Sequence, residues 1–165
     1  MEIRKVDNSV NELLDGPTLD ASALAGKIQR LHIFFSLLIP DMSHEEKQLL
    51  DEALIKTYAR KGITHKNESL TDPQHPEQYK KMPILEDVYN VLLESEDTKR
   101  LAHILNRLVH GSASSFNQQT NVDLTNKYTV LDISELTGSS DLLTVGMFVA
   151  LDYVWDKAKE NRTEE

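Results

Sequence analysis

From Ala21 to Ile39 the apolar residues recur at three- and four-residue steps: Ala21, Leu24, Ala25, Ile28, Leu31, Phe35, Leu38 and Ile39. That period predicts a helix with one apolar face, capped by Thr18 or Asp20 and stopped by Pro40. Ile33, Phe34 and Leu37 place further apolar groups around its second half, which should be buried on most sides. Ser43-His44-Glu45-Glu46 has the form of a capping box. The helix after it turns Leu50, Ala53, Leu54 and Tyr58 inward, sets a Glu52–Lys56 pair outward, and has Gly62 at its C-terminal end. Residues 63–82 are polar and aperiodic, with Pro73 and Pro76, and read as a long connecting loop of a length usually mobile or functional. Pro83 fits the first turn of a short helix striped by Leu85, Val88, Tyr89 and Leu92. Ser95 or Asp97 caps the next, with Leu101, Ile104, Leu105 and Leu108 as its stripe and Gly111 as its end.

The character changes after Gly111. Residues 112–119 are small and polar apart from Phe116. Thr120–Leu124 and Tyr128–Ile133 then read as two short strands joined by Thr125-Asn126-Lys127, a hairpin. Ser139 or Ser140 caps a last helix from about Asp141 to Lys159. Leu142, Leu143, Val145, Met147, Phe148, Val149, Leu151, Tyr153, Val154 and Trp155 make it apolar nearly all round, and such a helix needs protein on every side. The expected organisation is an irregular lead-in over 1–19, a helical subdomain over 20–111 carrying the polar loop 63–82, and a strand–strand–helix portion over 112–165. The fold class is mostly α with a small β element: about four helices, a β-hairpin and a C-terminal helix.

Composition narrows the chemistry. The 165 residues are 39% hydrophobic and 27% charged, ordinary values for a soluble domain. There is no cysteine, so disulfides, thiolate zinc sites and cysteine nucleophiles are excluded. The apolar run Leu31–Ile39 is far shorter than the roughly 20 residues a membrane helix needs, and the first residues lack the apolar core of a signal peptide. A formal net charge of −9 argues against direct contact with DNA, whose phosphates call for a basic face.

Candidate sites reduce on the same grounds. No Gly-x-x-x-x-Gly-Lys-Ser/Thr run exists, so the chain has no phosphate loop. The strand Tyr128–Asp132 ends in an acid, as magnesium-organising strands do, but an aspartate capping a turn has the same appearance. His65 and His75 lie near Glu68, Asp72 and Glu77, and His103 and His110 sit seven apart; none has a zinc-protease spacing. Ser112, Ser114 and Ser115 follow His110 without a nucleophile elbow. Arg100 and Arg107 are candidates for reaching a phosphate across a subunit boundary, or simply a solvated helix face. Glu45-Glu46 and Glu94-Glu96 sit at helix ends, where capping accounts for them. No catalytic, cofactor-binding or metal residue is expected.

Three separated blocks carry a family resemblance. They are Ser43–Leu50, then Met82–Tyr89, then Leu101–Glu135 with Phe116-Asn117, Thr120-Asn121-Val122-Asp123-Leu124, the strand holding Asp132, and Ser134-Glu135-Leu136. In this order they resemble the VirB-type conjugative-transfer ATPases of type IV secretion systems, including the TraE/TrsE-like proteins of mobile genetic elements. The likeness runs from about Leu24 to Asn161. It implies a segment lying between the family's phosphate loop and its magnesium-associated strand: a helical subdomain plus a strand and helix of the P-loop ATPase core. Phe116, Asn117, Thr120, Asn121, Asp123, Asp132 and Glu135 are then structural motif positions, and Asp132 is not the magnesium-associated acid. The parent would use ATP and Mg, and would power DNA transfer or pilus assembly at the cytoplasmic face of the membrane. Its partners would be other secretion proteins and neighbouring ATPase subunits. This segment alone would be inactive, an interaction or regulatory part. The alternative is a stand-alone, non-enzymatic helical module that docks partners through its last helix.

Overall fold

The computed structural model describes residues 22–119 and 139–162, and these are mostly helical. In chain order the described residues form α1 (Ala23–Leu38), α2 (His44–Arg60), α3 (Leu85–Leu92), α4 (Lys99–Val109) and α5 (Ser140–Arg162). Short 3₁₀ turns occupy Asn67–Leu70, Glu96–Thr98 and Ser114–Phe116. The mostly helical class expected from the sequence is the one observed. The expected lead-in and hairpin fall outside the described residues. The chain divides into two compact units, Met1–His32 with Met42–Thr120, and Ile33–Asp41 with Asn121–Glu165.

In the first unit the helix ends are defined by side chains. Ser22, rather than Thr18 or Asp20, caps α1: its Oγ accepts from the Ala25 N–H at 3.0 Å. A cap must directly precede the first turn for its oxygen to reach the third amide. Asn67 Oδ1 takes the Ala23 N–H at 3.0 Å. The capping box of α2 is as expected, with Glu46 N–H donating to Ser43 Oγ at 3.1 Å and Ser43 N–H to Glu46 Oε2 at 2.9 Å. At its other end the Gly62 N–H donates to Ala59 O at 2.8 Å and the Ile63 N–H to Tyr58 O at 3.0 Å. That is a Schellman ending, and Gly62 takes the left-handed φ of 71° it requires.

The core of this unit lies where α3 packs on α2 and α4. Leu50, Leu54, Tyr58, Val88, Leu92, Leu101, Ala102, Leu105 and Leu108 are completely buried. Fully burying one leucine contributes on the order of 1.5–3 kcal/mol, so the expected stripes supply the main stabilisation. Ile104 is only half-buried, and Ala102 and Val109 take the inward face instead. The Glu52–Lys56 pair does not form. Lys56 reaches Glu94 at 2.8 Å, and Glu52 accepts from Gln48 at 3.2 Å; a tertiary partner displaces the local one.

Residues 63–82 are better organised than their composition indicates. Ile63, Leu70 and Met82 are buried anchors. Thr71 and Tyr79 form an antiparallel bridge. Asp72 N–H donates to Gln78 O and Lys80 N–H to Leu70 O, both at 2.9 Å. The Lys80 ammonium donates to Gly62 O at 2.7 Å. Main-chain bonds and single anchors leave no periodic signature. Pro83 lies one residue ahead of the cap position of α3 and not inside its first turn.

The second unit contains the end of α1 and α5. Phe34 and Phe35 meet edge-on, ring centres 5.3 Å apart. Phe35 and Ile39 are buried, whereas Ile33 is 49% exposed, so this half of α1 is covered on most sides but not all. In α5, Ser139 O accepts the first i→i−4 bond, from Leu143 N–H at 2.9 Å. Leu142 and Val145 are buried. Met147, Leu151, Val154 and Trp155 form one exposed stripe at helical spacing, Trp155 being 60% exposed. The all-round apolar character of this helix is thus left partly uncovered.

Gly62→Ala is expected to lower stability by about 1–2 kcal/mol, because a Cβ disfavours the left-handed conformation; urea denaturation measures it. Leu105→Ala should cost about 2–5 kcal/mol in the same assay.

Candidate functional site

Helix α3 begins with a defect. Its cap position is Ile84, which has no side-chain oxygen to offer, and an uncapped first turn leaves amides unsatisfied. The missing acceptors come from two other places. Asp87 turns back to accept from the Ile84 N–H at 2.8 Å. Asn117, from the segment after α4, presents Oδ1 to the Glu86 N–H at 2.8 Å. Because that main-chain group can only donate, the Asn117 oxygen faces it and the Nδ2 is left towards Glu86 Oε2, 3.5 Å away. Gln119 Nε2 donates to Met82 O at 2.7 Å. From the end of α2, Lys61 pairs with Asp87 at 3.0 Å. Three chain segments therefore meet at the first turn of α3.

This junction brings together two of the blocks that carried the family resemblance, Met82–Tyr89 and Phe116-Asn117. Asn117 is a helix cap acting across the chain, and Phe116 is half-buried in the 3₁₀ turn beside it. Thr120, Asn121, Asp123, Asp132 and Glu135 lie outside the described residues. The roles of Glu86, Asp87 and Gln119 were missed in the sequence. An isoleucine where a cap belongs, followed by an acid three residues on, was the available signal.

The remaining block, Ser43–Leu50, is tied to the start of α4 through charge. Glu46 Oε1 accepts from Arg100 Nη1 at 2.8 Å, linking the capping box of α2 to the start of α4. The Ser43 N–H bond first, and the Arg100 guanidinium second, hold the Glu46 carboxyl below the usual glutamate range. Arg100 is therefore engaged within its own unit. Glu94 is likewise held low, by Lys56 and then Arg60. His32 Nε2 lies 2.9 Å from Asp51 Oδ1, tying α1 to α2.

The other candidates do not assemble. His110 stands edge-on to Tyr89, ring centres 5.3 Å apart. Among the described residues no hydrogen bond joins it to Ser112, Ser114 or Ser115, and no group of three His, Asp or Glu side chains is gathered for a metal. Nor is any helix among them long and apolar enough to cross a membrane. The junction's chemistry is positional: it fixes where the chain leaves α4 relative to α2 and α3.

The chain's fold has a counterpart among solved structures. The chain is similar to a helical segment of a VirB4-type type IV secretion ATPase, the class its three sequence blocks resemble. The counterpart is VirB4 of Thermoanaerobacter pseudethanolicus, 27% identical, with a TM-score of 0.74 over 86% of this chain. The chain spans about half of that protein's solved length, 53%. No family model matches the chain, and no curated protein does.

Glu46→Gln should flatten the acid side of the stability profile. A carboxyl lowered on folding adds stability at pH values above its unfolded pKa, near 4.3, and that stability disappears as pH falls through the folded value. Denaturation midpoints measured from pH 7 to pH 3 are expected to fall less steeply in the variant.

Proposed function

We propose that the chain serves as the helical part of a conjugation or type IV secretion ATPase, an interaction and regulatory element without a nucleotide site of its own. The observation that carries this reading is the VirB4 likeness, which extends over 86% of the chain in sequence and fold together. The parent would couple ATP hydrolysis to DNA transfer or pilus assembly, at the cytoplasmic face of the membrane. Its partners there would be other secretion proteins and neighbouring ATPase subunits. The net charge of −9 favours protein partners over DNA.

The residues present do not fit MgATP. The sequence lacks the glycine-rich run whose amides and lysine surround phosphates. Helix N-termini are the other common source of phosphate-binding amides, and those of α1, α2 and α3 are used internally. Ser22 and Asn67 cap α1, Ser43 caps α2, and Asp87 and Asn117 cap α3. ATP and magnesium would thus be held by parts of the parent other than these helices, and no catalytic step is assigned to this chain.

The exposed stripe on α5 also favours a second reading, a stand-alone helical module that docks a partner through Met147, Leu151, Val154 and Trp155. Both readings expect no nucleotide binding. Equilibrium dialysis of the 165-residue chain against ATP, with and without magnesium, is expected to show no uptake. Tight, magnesium-dependent uptake would contradict the proposal.

A further inference from the structure

We propose that Asn117 and Gln119 form a latch that fastens the segment leaving α4 onto the first turn of α3, and that this latch opens without unfolding the helices beneath it. The inference concerns the first unit alone and holds whether or not the chain works inside an ATPase.

The segment from Gly111 to Gln119 has little apolar attachment. Ala113 is its one buried side chain, Phe116 and Asn117 are half-buried, and Ser112, Ser114, Ser115, Gln118 and Gln119 are exposed. Its own turns are held by short-range bonds, Phe116 N–H to Ala113 O at 3.2 Å and Asn117 N–H to Ser114 O at 2.9 Å. Beyond Phe116, its hydrogen bonds to α3 and the residues before it come from the Asn117 and Gln119 side chains. The α2–α3–α4 core, by contrast, is built from completely buried leucines. Segments with few buried contacts open at far lower free energy than the core they rest on. Opening would return the Glu86 amide to water while the Asp87 bond to Ile84 and the leucine packing keep α3 folded. The path of the chain from α4 to Gln119 is then set by two side chains rather than by the core.

The test is residue-resolved amide hydrogen exchange on the full 165-residue chain carrying Asn117→Ala, Gln119→Ala or, as a control, the exposed Ser115→Ala. In Asn117→Ala the amides of Glu86, Phe116 and Asn117 are expected to exchange roughly five- to tenfold faster, the size of a lost cap. Leu54, Leu92 and Leu105 should change less than about twofold. Gln119→Ala should speed Phe116 and Asn117 in the same direction, and Ser115→Ala should change nothing. Unchanged exchange at Glu86 in Asn117→Ala overturns the latch. So does equal acceleration throughout the core in either latch variant, since the segment would then open only with the whole unit. Nucleotide binding plays no part in the readout, so this result is independent of the proposed function.

Discussion

An α-helix spanning only Leu85–Leu92 cannot sustain itself in water, and the isoleucine at its cap position offers no side-chain oxygen to its first amides. Helix α3 exists because other segments complete it. Leucines of α2 and α4 cover its apolar face, and Asp87 and Asn117 supply acceptors at its start. Thr98 donates its hydroxyl to Leu92 O, closing the other end. The first unit is organised around that dependent helix. Lys61 and Gln119 converge on its beginning, and Lys56 and Arg60 on Glu94 just past its end.

What the sequence made legible was whatever repeats or caps locally. The stripes of α2, α3 and α4, the Ser43–Glu46 box and the Gly62 ending are each set by residues within a few positions of one another, and they stand as read except for Tyr89 and Ile104, which are only half-buried. What it concealed was set by distance. Asn117 caps a helix at an amide 31 positions earlier in the chain, and no local pattern announces such a partner. Lys56 ignores the glutamate one turn away for Glu94, which only folding brings near. The order within 63–82 comes from main-chain bonds and lone anchors such as Leu70, which carry no period. Of the seven motif positions singled out, Phe116 and Asn117 can be placed, and Asn117 has a clear physical role.

Residues of the three blocks perform joint tasks in the first unit: Ser43 and Glu46 cap α2, Met82–Tyr89 forms the start of α3, and Asn117 completes it. The apolar stripe of α5 obeys a different logic. Exposed aromatic and aliphatic side chains at helical spacing have a free-energy cost in water that burial against protein removes. The proposed place within a larger type IV secretion ATPase gives that stripe something to pack against.

Trp155 is the chain's one tryptophan and lies on that stripe, so its emission reports directly on whether the stripe becomes covered. Its fluorescence and acrylamide quenching can be compared between the 165-residue chain alone and the same chain mixed with the nucleotide-binding part of a VirB4-type ATPase. Covering of α5 by the motor core predicts a blue shift and weaker quenching on mixing. An unchanged spectrum and unchanged quenching, at concentrations where the two polypeptides sediment together, would contradict the account.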